Sequence, residues 1–215
     1  MIGRLIPAIA ALFFSCDQTV RFEQPQPSDK RDMDAMPAKY MGRFYSESDS
    51  TSMEITAGHI TIVRFEYIRF STDQLDASVV MRGDTLIDLT SGFQTVAHAD
   101  GDNIEALMPV WTDTLFAEGQ RYHLRRYRGH FFCNVLGEDG YWTVRVLEPR
   151  SLNVIAVEEL RAPEDIGLLR DITPVQDIRQ DSLADPKYLV DPKREELRDL
   201  MQRGFTTRAV YKRMK

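Results

Sequence analysis

Phe131-Phe-Cys-Asn-Val-Leu136, then Gly137-Glu-Asp-Gly140, then Tyr141-Trp-Thr-Val-Arg-Val-Leu147 reads as two strands and the turn that joins them. In the second run Trp142, Val144 and Val146 share one face while Thr143 and Arg145 share the other. That period of two belongs to a strand with one face buried. The turn carries glycines, which adopt the positive φ a tight reversal needs.

The same unit recurs on either side. Ser52-Met-Glu-Ile-Thr-Ala-Gly58-His-Ile-Thr-Ile-Val63 reads as two strands about Ala57-Gly58. Ala99-Asp-Gly-Asp-Asn103 separates Phe93–His98 from Ile104–Val110, and Ala117-Glu-Gly-Gln120 precedes Arg121–Tyr127. Asn153–Leu160 is a further strand, and Ser71-Thr-Asp-Gln-Leu75 is one helical turn. Alternation slips near Val63, which marks a bulge. About nine or ten strands at this spacing predict a mainly β fold: an antiparallel meander, barrel- or sandwich-like, with short C-terminal helices.

The last third changes character. Pro163–Leu169 reads as a short helix, residues 171–190 as irregular chain, and Asp191-Pro192 as the cap of a helix with the stripe Leu197, Leu200 and Met201, ended by Gly204. A second short helix is expected from Thr207 to Met214. The tail from Lys187 to Lys215 holds nine basic and four acidic residues, +5, so the rest of the chain carries −11. The blander reading packs the helix stripe onto the acidic β region; the sharper one turns the cations to an anionic surface.

The whole chain has 215 residues, 43% of them hydrophobic and 28% charged, an ordinary balance for a folded domain. A net charge of −6 argues against a general nucleic-acid binder. No apolar run reaches the ~18 residues of a spanning helix.

The N-terminus reads as an address. Arg4 supplies a positive charge, Leu5–Phe14 is an apolar run too short to span, and Ser15-Cys16 follows. Leu12-Phe-Phe-Ser-Cys16 resembles a lipobox, in which the signal peptide is cut before a cysteine that carries diacylglycerol; Phe13 stands where leucine is commonest. The alternatives are a buried N-terminal strand or helix with an incidental cysteine, and a plain secretory peptide without lipid. Asp17 to Ala38 contains Pro25, Pro27, Pro37 and the charged run Ser28–Asp34, and reads as a flexible tether. Extended at ~3.1 Å per residue it holds the domain up to roughly 70 Å from the lipid. Cys133 then has no partner in the chain and reads as a small core residue.

Val20-Arg-Phe-Glu-Gln-Pro-Gln-Pro27, followed by Pro37 and Tyr40-Met-Gly-Arg-Phe-Tyr45, resembles a group of uncharacterised Bacteroidota lipoproteins. The resemblance implies an envelope address and brings no catalytic residues with it.

Among candidate sites, Arg121-Tyr-His-Leu-Arg-Arg-Tyr-Arg128 is the densest. Arg121, Tyr122, Arg125, Arg126, Tyr127 and Arg128 suit a pocket for a small anionic ligand, with bidentate guanidinium contacts and stacking rings. The alternative is that these arginines pair with neighbouring acids. Asp100-Gly-Asp102-Asn103 is rich in oxygen ligands but lacks calcium-loop spacing and reads as a turn. His98 beside Asp100, or His123 with His130, offers a weak metal pattern, and no metal or cofactor is assigned. Nucleophile elbows and phosphate loops are absent from the sequence.

The resulting expectation has four parts: signal peptide 1–15, lipidated Cys16 and tether 16–38, antiparallel β domain 39–162, and an irregular, helical segment 163–215. Its function is that of a membrane-anchored envelope lipoprotein facing the periplasm or cell surface. It is a non-catalytic binding or interaction module whose partners are the membrane, through lipid on Cys16, and an envelope protein or small anionic ligand. The alternative is an envelope hydrolase with a site assembled from distant strands.

Overall fold

A computed structural model of the chain describes residues 20–90, 92–161, 164–178, 187–203 and 205–214. Cys16, Ser91, Pro163 and Gly204 lie outside them. In chain order the strands are β1 (Val20–Phe22), β2 (Gly42–Ser46), β3 (Thr51–Ile55), β4 (Ile60–Ser71), β5 (Val79–Arg82), β6 (Thr85–Asp88), β7 (Gln94–Asp100), β8 (Asn103–Phe116), β9 (Tyr122–Tyr127), β10 (His130–Leu136), β11 (Trp142–Pro149) and β12 (Val154–Glu159). Helix α1 (Ile166–Ile172), β13 (Val175–Ile178), β14 (Lys187–Val190), helix α2 (Arg194–Arg203) and β15 (Thr206–Arg213) complete the chain. The fold is mainly β, as the alternation predicts.

The hairpins read from glycine turns are present. β10 and β11 pair from Phe131↔Leu147 to Leu136↔Trp142. β3 and β4 pair from Thr51↔Arg64 to Ile55↔Ile60, and β7 meets β8 through Asp100↔Asn103 about Gly101, whose φ is 59°. The register of β4 on β8 slips between Arg64 and Phe65, one residue beyond the predicted bulge, and again at Ile60. Thr72–Gln74 forms the expected single turn, with the Gln74 side chain accepting from the Ser71 N–H at 2.8 Å.

The body of the molecule runs β10-β11-β12-β15-β2-β3-β4-β8, each strand antiparallel to the next, with β9 on the outer edge of β10. It curls over one core built from Phe44, Met53, Ile55, Ile60, Leu115, Leu124, Phe131, Leu147, Ile155 and Tyr211. β8 packs against β9 and β10, yet no ladder joins it to them among the described residues, so the barrel is left open at that seam. The opposite face of β10 and β11 carries a second core, where Phe132, Val144 and Val146 meet Ile166, Leu169, Leu197 and Leu200. This accounts for the long apolar run in β10: alternate residues face two different cores, so neither side is polar.

β4 and β8 are 12 and 14 residues long and outrun the body. Beyond it they join β7, β6 and β5 in an arm with its own small core of Leu86, Ala97, Ile104 and Ala106.

Three expectations are corrected. The tether is not a tether in its described part. Val20 and Phe22 are fully buried in β1, which lies parallel to β14 and against Trp142 of β11, and Met36 is buried in the first core. The apolar residues outweigh the Pro- and charge-rich composition because each one finds a seat. Second, residues 171–190 are not wholly irregular: β13 and β14 pair from Val175↔Val190 to Ile178↔Lys187. Third, Thr206–Arg213 is a strand between β12 and β2, not a helix. Ala209 and Tyr211 fall on one face and meet the core at a period of two, and the helical stripe is missing. The segment after residue 162 therefore belongs to the same sheet as the rest. Helix α2 forms with the expected stripe, Leu197 and Leu200 buried and Met201 packed beside them, but it begins at Arg194, two residues after Pro192: the Lys193 N–H is met by the Glu196 carboxylate at 2.8 Å, and Asp191 accepts from the Gln24 amide instead of capping the helix.

Candidate functional site: the strand Tyr122–Tyr127 and the arm

The basic-aromatic strand is β9. Because successive side chains alternate, its six candidate residues do not converge. Leu124 lies in the first core with Tyr122 packed on it, and Arg126 covers the face of Phe131 on that side, 5.5 Å from the ring centre. Tyr127 packs against the second core instead. Arg121 turns back on its own hairpin, donating to the Leu136 carbonyl at 3.0 Å. Arg128 and Gly129, at φ 51° and 91°, form the turn into β10.

The most engaged of the six is Arg125, and its partners belong to the N-terminal segment. Its Nε donates to Asp32 Oδ1 at 2.7 Å, and its Nη1 donates to the carbonyls of Pro25 and Pro27. His123 Nδ1 lies 2.6 Å from the other Asp32 oxygen, and its ring meets the edge of Trp142 at 4.9 Å. Met33 N–H donates to the Leu124 carbonyl at 2.7 Å, so residues 32–33 run along the edge of β9 that lacks a ladder. Lys30 sits over the Tyr127 ring. Burial works against the charge on Asp32, but hydrogen bonds from Arg125 and His123 outweigh it and hold the carboxyl below its ordinary range. What reads in sequence as a ligand strand is, at Arg125 and Tyr127, the seat of the chain's own N-terminal segment. The pairing with acids that the sequence left as the alternative is met at Asp32.

Two further charge clusters are satisfied from within. Arg145 reaches Asp113 on β8 and donates to Glu159 Oε2 at 3.2 Å, directly across the ladder from it. Arg161 and Arg208 close on Glu159 from the other side, and Arg208 also donates to Asp165 Oδ2 at 2.7 Å. Three acids and three arginines thus balance at the polar end of the first core. Asp139 accepts from Arg21 at 3.2 Å and from Lys187 at 3.1 Å. The basic tail follows suit. Arg194 faces Asp29, Arg203 pairs with Asp199, Lys212 faces Glu47, and Arg213 donates to the carbonyls of Lys39, Met41 and Leu152. Arg194, Arg203, Arg208, Lys212 and Arg213 thus find partners within the chain, while Lys215 lies outside the described residues.

The histidines are dispersed. His123 and His130 stand at opposite ends of the β9–β10 ladder, opposite Asn134 and Tyr127, while His98 lies opposite Glu105 and His59 holds Thr56. Asp100 and Asn103 face each other across the predicted turn.

No family model matches this chain. Nor does any curated protein or solved structure compared with it.

The arm is where apolar surface is left to solvent. Tyr67 on β4 and Val96 on β7 are each 72% exposed, and both lie on the face turned away from the small core. On the inner side Val79, Leu86, Phe93, Met108 and Pro109 line a shallow cleft of about 170 Å³ with Asp88 at its rim. Sequence reading missed Asp32 and Asn134, which seat the N-terminal segment, and both faces of the arm. A signal existed for Asn134, a lone amide inside an apolar strand. For the arm the signal was weaker: Phe65-Glu-Tyr-Ile-Arg-Phe70 is apolar on both faces and does not say which one is covered.

Proposed function

We propose that this chain is an envelope lipoprotein of the Bacteroidota type, anchored by lipid on Cys16. The exported domain is a non-catalytic interaction module facing the periplasm or the cell surface. The observation that carries the reading is the N-terminal sequence itself, an apolar run from Leu5 that ends in the lipobox Leu12-Phe-Phe-Ser-Cys16. Every described strand lies beyond Cys16, so cleavage before it leaves them intact. The interaction reading draws on the arm. Arg125, Arg145, Arg161 and Arg208 are engaged with acids of the same chain, while Tyr67 and Val96 present apolar surface of the kind that marks contact sites.

Replacing Cys16 by Ser in the native host tests the anchor. The variant is expected in the soluble fraction, with the signal peptide retained or cut elsewhere; unchanged partitioning into membranes overturns the reading.

A second reading, the envelope hydrolase, has one observation in its favour. Asp32 and His123 come from distant parts of the chain and form a carboxylate–imidazole couple at 2.6 Å, the arrangement that orients a general base. Loss of ester or peptide hydrolysis in His123→Gln, with folding intact, would favour it over the structural clasp.

A further inference from the structure

β5 is the last strand of the arm, and among the described residues no strand pairs with its outer edge. The hydrogen bonds around it fix which groups lie there. The Asp88 N–H donates to the Phe93 carbonyl, on the β7 side of β6, and the Leu89 N–H donates to the Ser78 carbonyl, on the β5 side. Backbone groups alternate along a strand, so Val80 and Arg82 turn theirs to β6, and Met81 turns both its N–H and its C=O outwards. The Val79 carbonyl points the same way, while the Val79 N–H donates within its own turn to the Asp76 carbonyl at 3.1 Å. The side chains of Val79 and Met81 pack on the small core, and Val79 borders its cleft on this edge. Free strand edges are usually blunted by proline or by a bulge. β5 has no proline, and its register on β6 runs without a shift.

We propose that β5 pairs with β5 of a second copy of this chain, antiparallel about a two-fold axis at Val80, so that the two arms share one sheet. The proposal goes beyond the envelope reading and does not depend on lipid at Cys16. A two-fold contact must be self-complementary, and this edge is. With Val80 opposite Val80, the Met81 N–H of each copy donates to the Val79 carbonyl of the other. Met81 then lies opposite Val79 of the second copy on the side of the small core, and each cleft gains a long apolar side chain along its open edge. Charge selects this register. It sets the exposed Arg82 opposite Ser78 of the second copy and diagonal to the exposed Asp76, whose carboxylate is oriented by the Ser78 N–H at 2.6 Å. Diagonal neighbours are within reach of long side chains. The neighbouring register, with Met81 opposite Met81, sets the two Arg82 side chains diagonal to one another, like charge against like charge.

The test is oxidative cross-linking of the full mature protein, with the linked fraction read on a non-reducing gel. Val80 opposite Val80 is a non-hydrogen-bonded pair, whose Cα atoms stand about 4.5 Å apart, within the range a disulfide bridges. Val80→Cys is expected to link several-fold faster than Leu152→Cys, an exposed position outside the arm that sets the collision rate. In Met81→Cys the two Cα atoms lie on a diagonal of about 7–8 Å, so linkage stays at the collision rate. Met81→Pro removes the outward N–H and leaves the bonds from β5 to β6 in place; added to Val80→Cys, it is expected to lower linkage to the collision rate. Cys16 and Cys133 are common to all these variants, and burial pushes the pKa of the Cys133 thiol up to about 12. Linkage of Val80→Cys no faster than that of Leu152→Cys overturns the proposal, as does linkage that Met81→Pro leaves unchanged. Faster linkage through Met81→Cys than through Val80→Cys overturns the two-fold at Val80.

Discussion

The side-chain amide of Asn134 on β10 pairs with the main chain of Gln26 from both sides: its Oδ1 accepts from the Gln26 N–H at 2.6 Å, and its Nδ2 donates to the Gln26 carbonyl at 2.9 Å. The amide acts as one more peptide group, giving the N-terminal segment a hydrogen-bonding partner where no strand is available. Asn134 is fully buried and so is Gln26. Asn134→Ala leaves the Gln26 groups buried and unpaired, at a cost of about 1–3 kcal/mol for each such group. Urea unfolding should show a loss on the order of 3 kcal/mol; a loss below about 0.5 kcal/mol contradicts the pairing.

Deletion of residues 17–38 gives a larger effect. It removes the buried side chains of Val20, Phe22 and Met36, each worth about 1.5–3 kcal/mol. It also uncovers the edge of β9 and the second core beneath β1. A chain starting at Lys39 should melt well below the mature protein or fail to fold. Equal melting temperatures would return residues 17–38 to the status of a linker.

The Asp32 clasp makes a prediction about acid. Its folded-state pKa lies below the ordinary 3.8, so the stability it contributes is complete above that value and is lost as pH falls through the folded pKa. Asp32→Asn should therefore be less stable than the parent at pH 7, and the difference should shrink towards zero as the pH is lowered below 3.8. A difference that persists undiminished at pH 2.5 contradicts the ionic clasp.

Arg145 is held between Asp113 and Glu159 at the polar end of the first core, and burial lowers its pKa against the pull of Glu159. Arg145→Met takes from Asp113 the arginine it meets and leaves Glu159 to Arg161 and Arg208, so the loss is expected to fall short of the roughly 3–5 kcal/mol that an uncompensated buried charge costs. Adding Asp113→Asn and Glu159→Gln should recover part of that loss in the same unfolding measurement. A fully additive triple variant would mean that the three groups are not coupled.

The sequence made local pairing legible and long-range seating illegible, and particular residues show why. Hairpins about Gly58, Gly101 and Gly140 were readable because turn and strands are contiguous, and alternation marks the buried face. β1 was not readable: three residues followed by prolines and charges carry no period, and what orders them is a parallel partner, Tyr188–Val190, that lies far along the chain. Thr206–Arg213 failed for a related reason. Its basic residues suited an exposed helix until β12 and β2 supplied an edge on each side. The strand Arg121–Arg128 was rightly singled out as dense in chemistry, but composition does not reveal whether an arginine awaits a ligand or already holds Asp32.

The intact mass of the protein extracted from its own membranes tests the central claim most directly. The account predicts a chain that begins at Cys16 and carries the added mass of diacylglycerol, with or without a further acyl group on its amine. A chain that keeps residues 1–15, or that begins elsewhere without lipid, contradicts it.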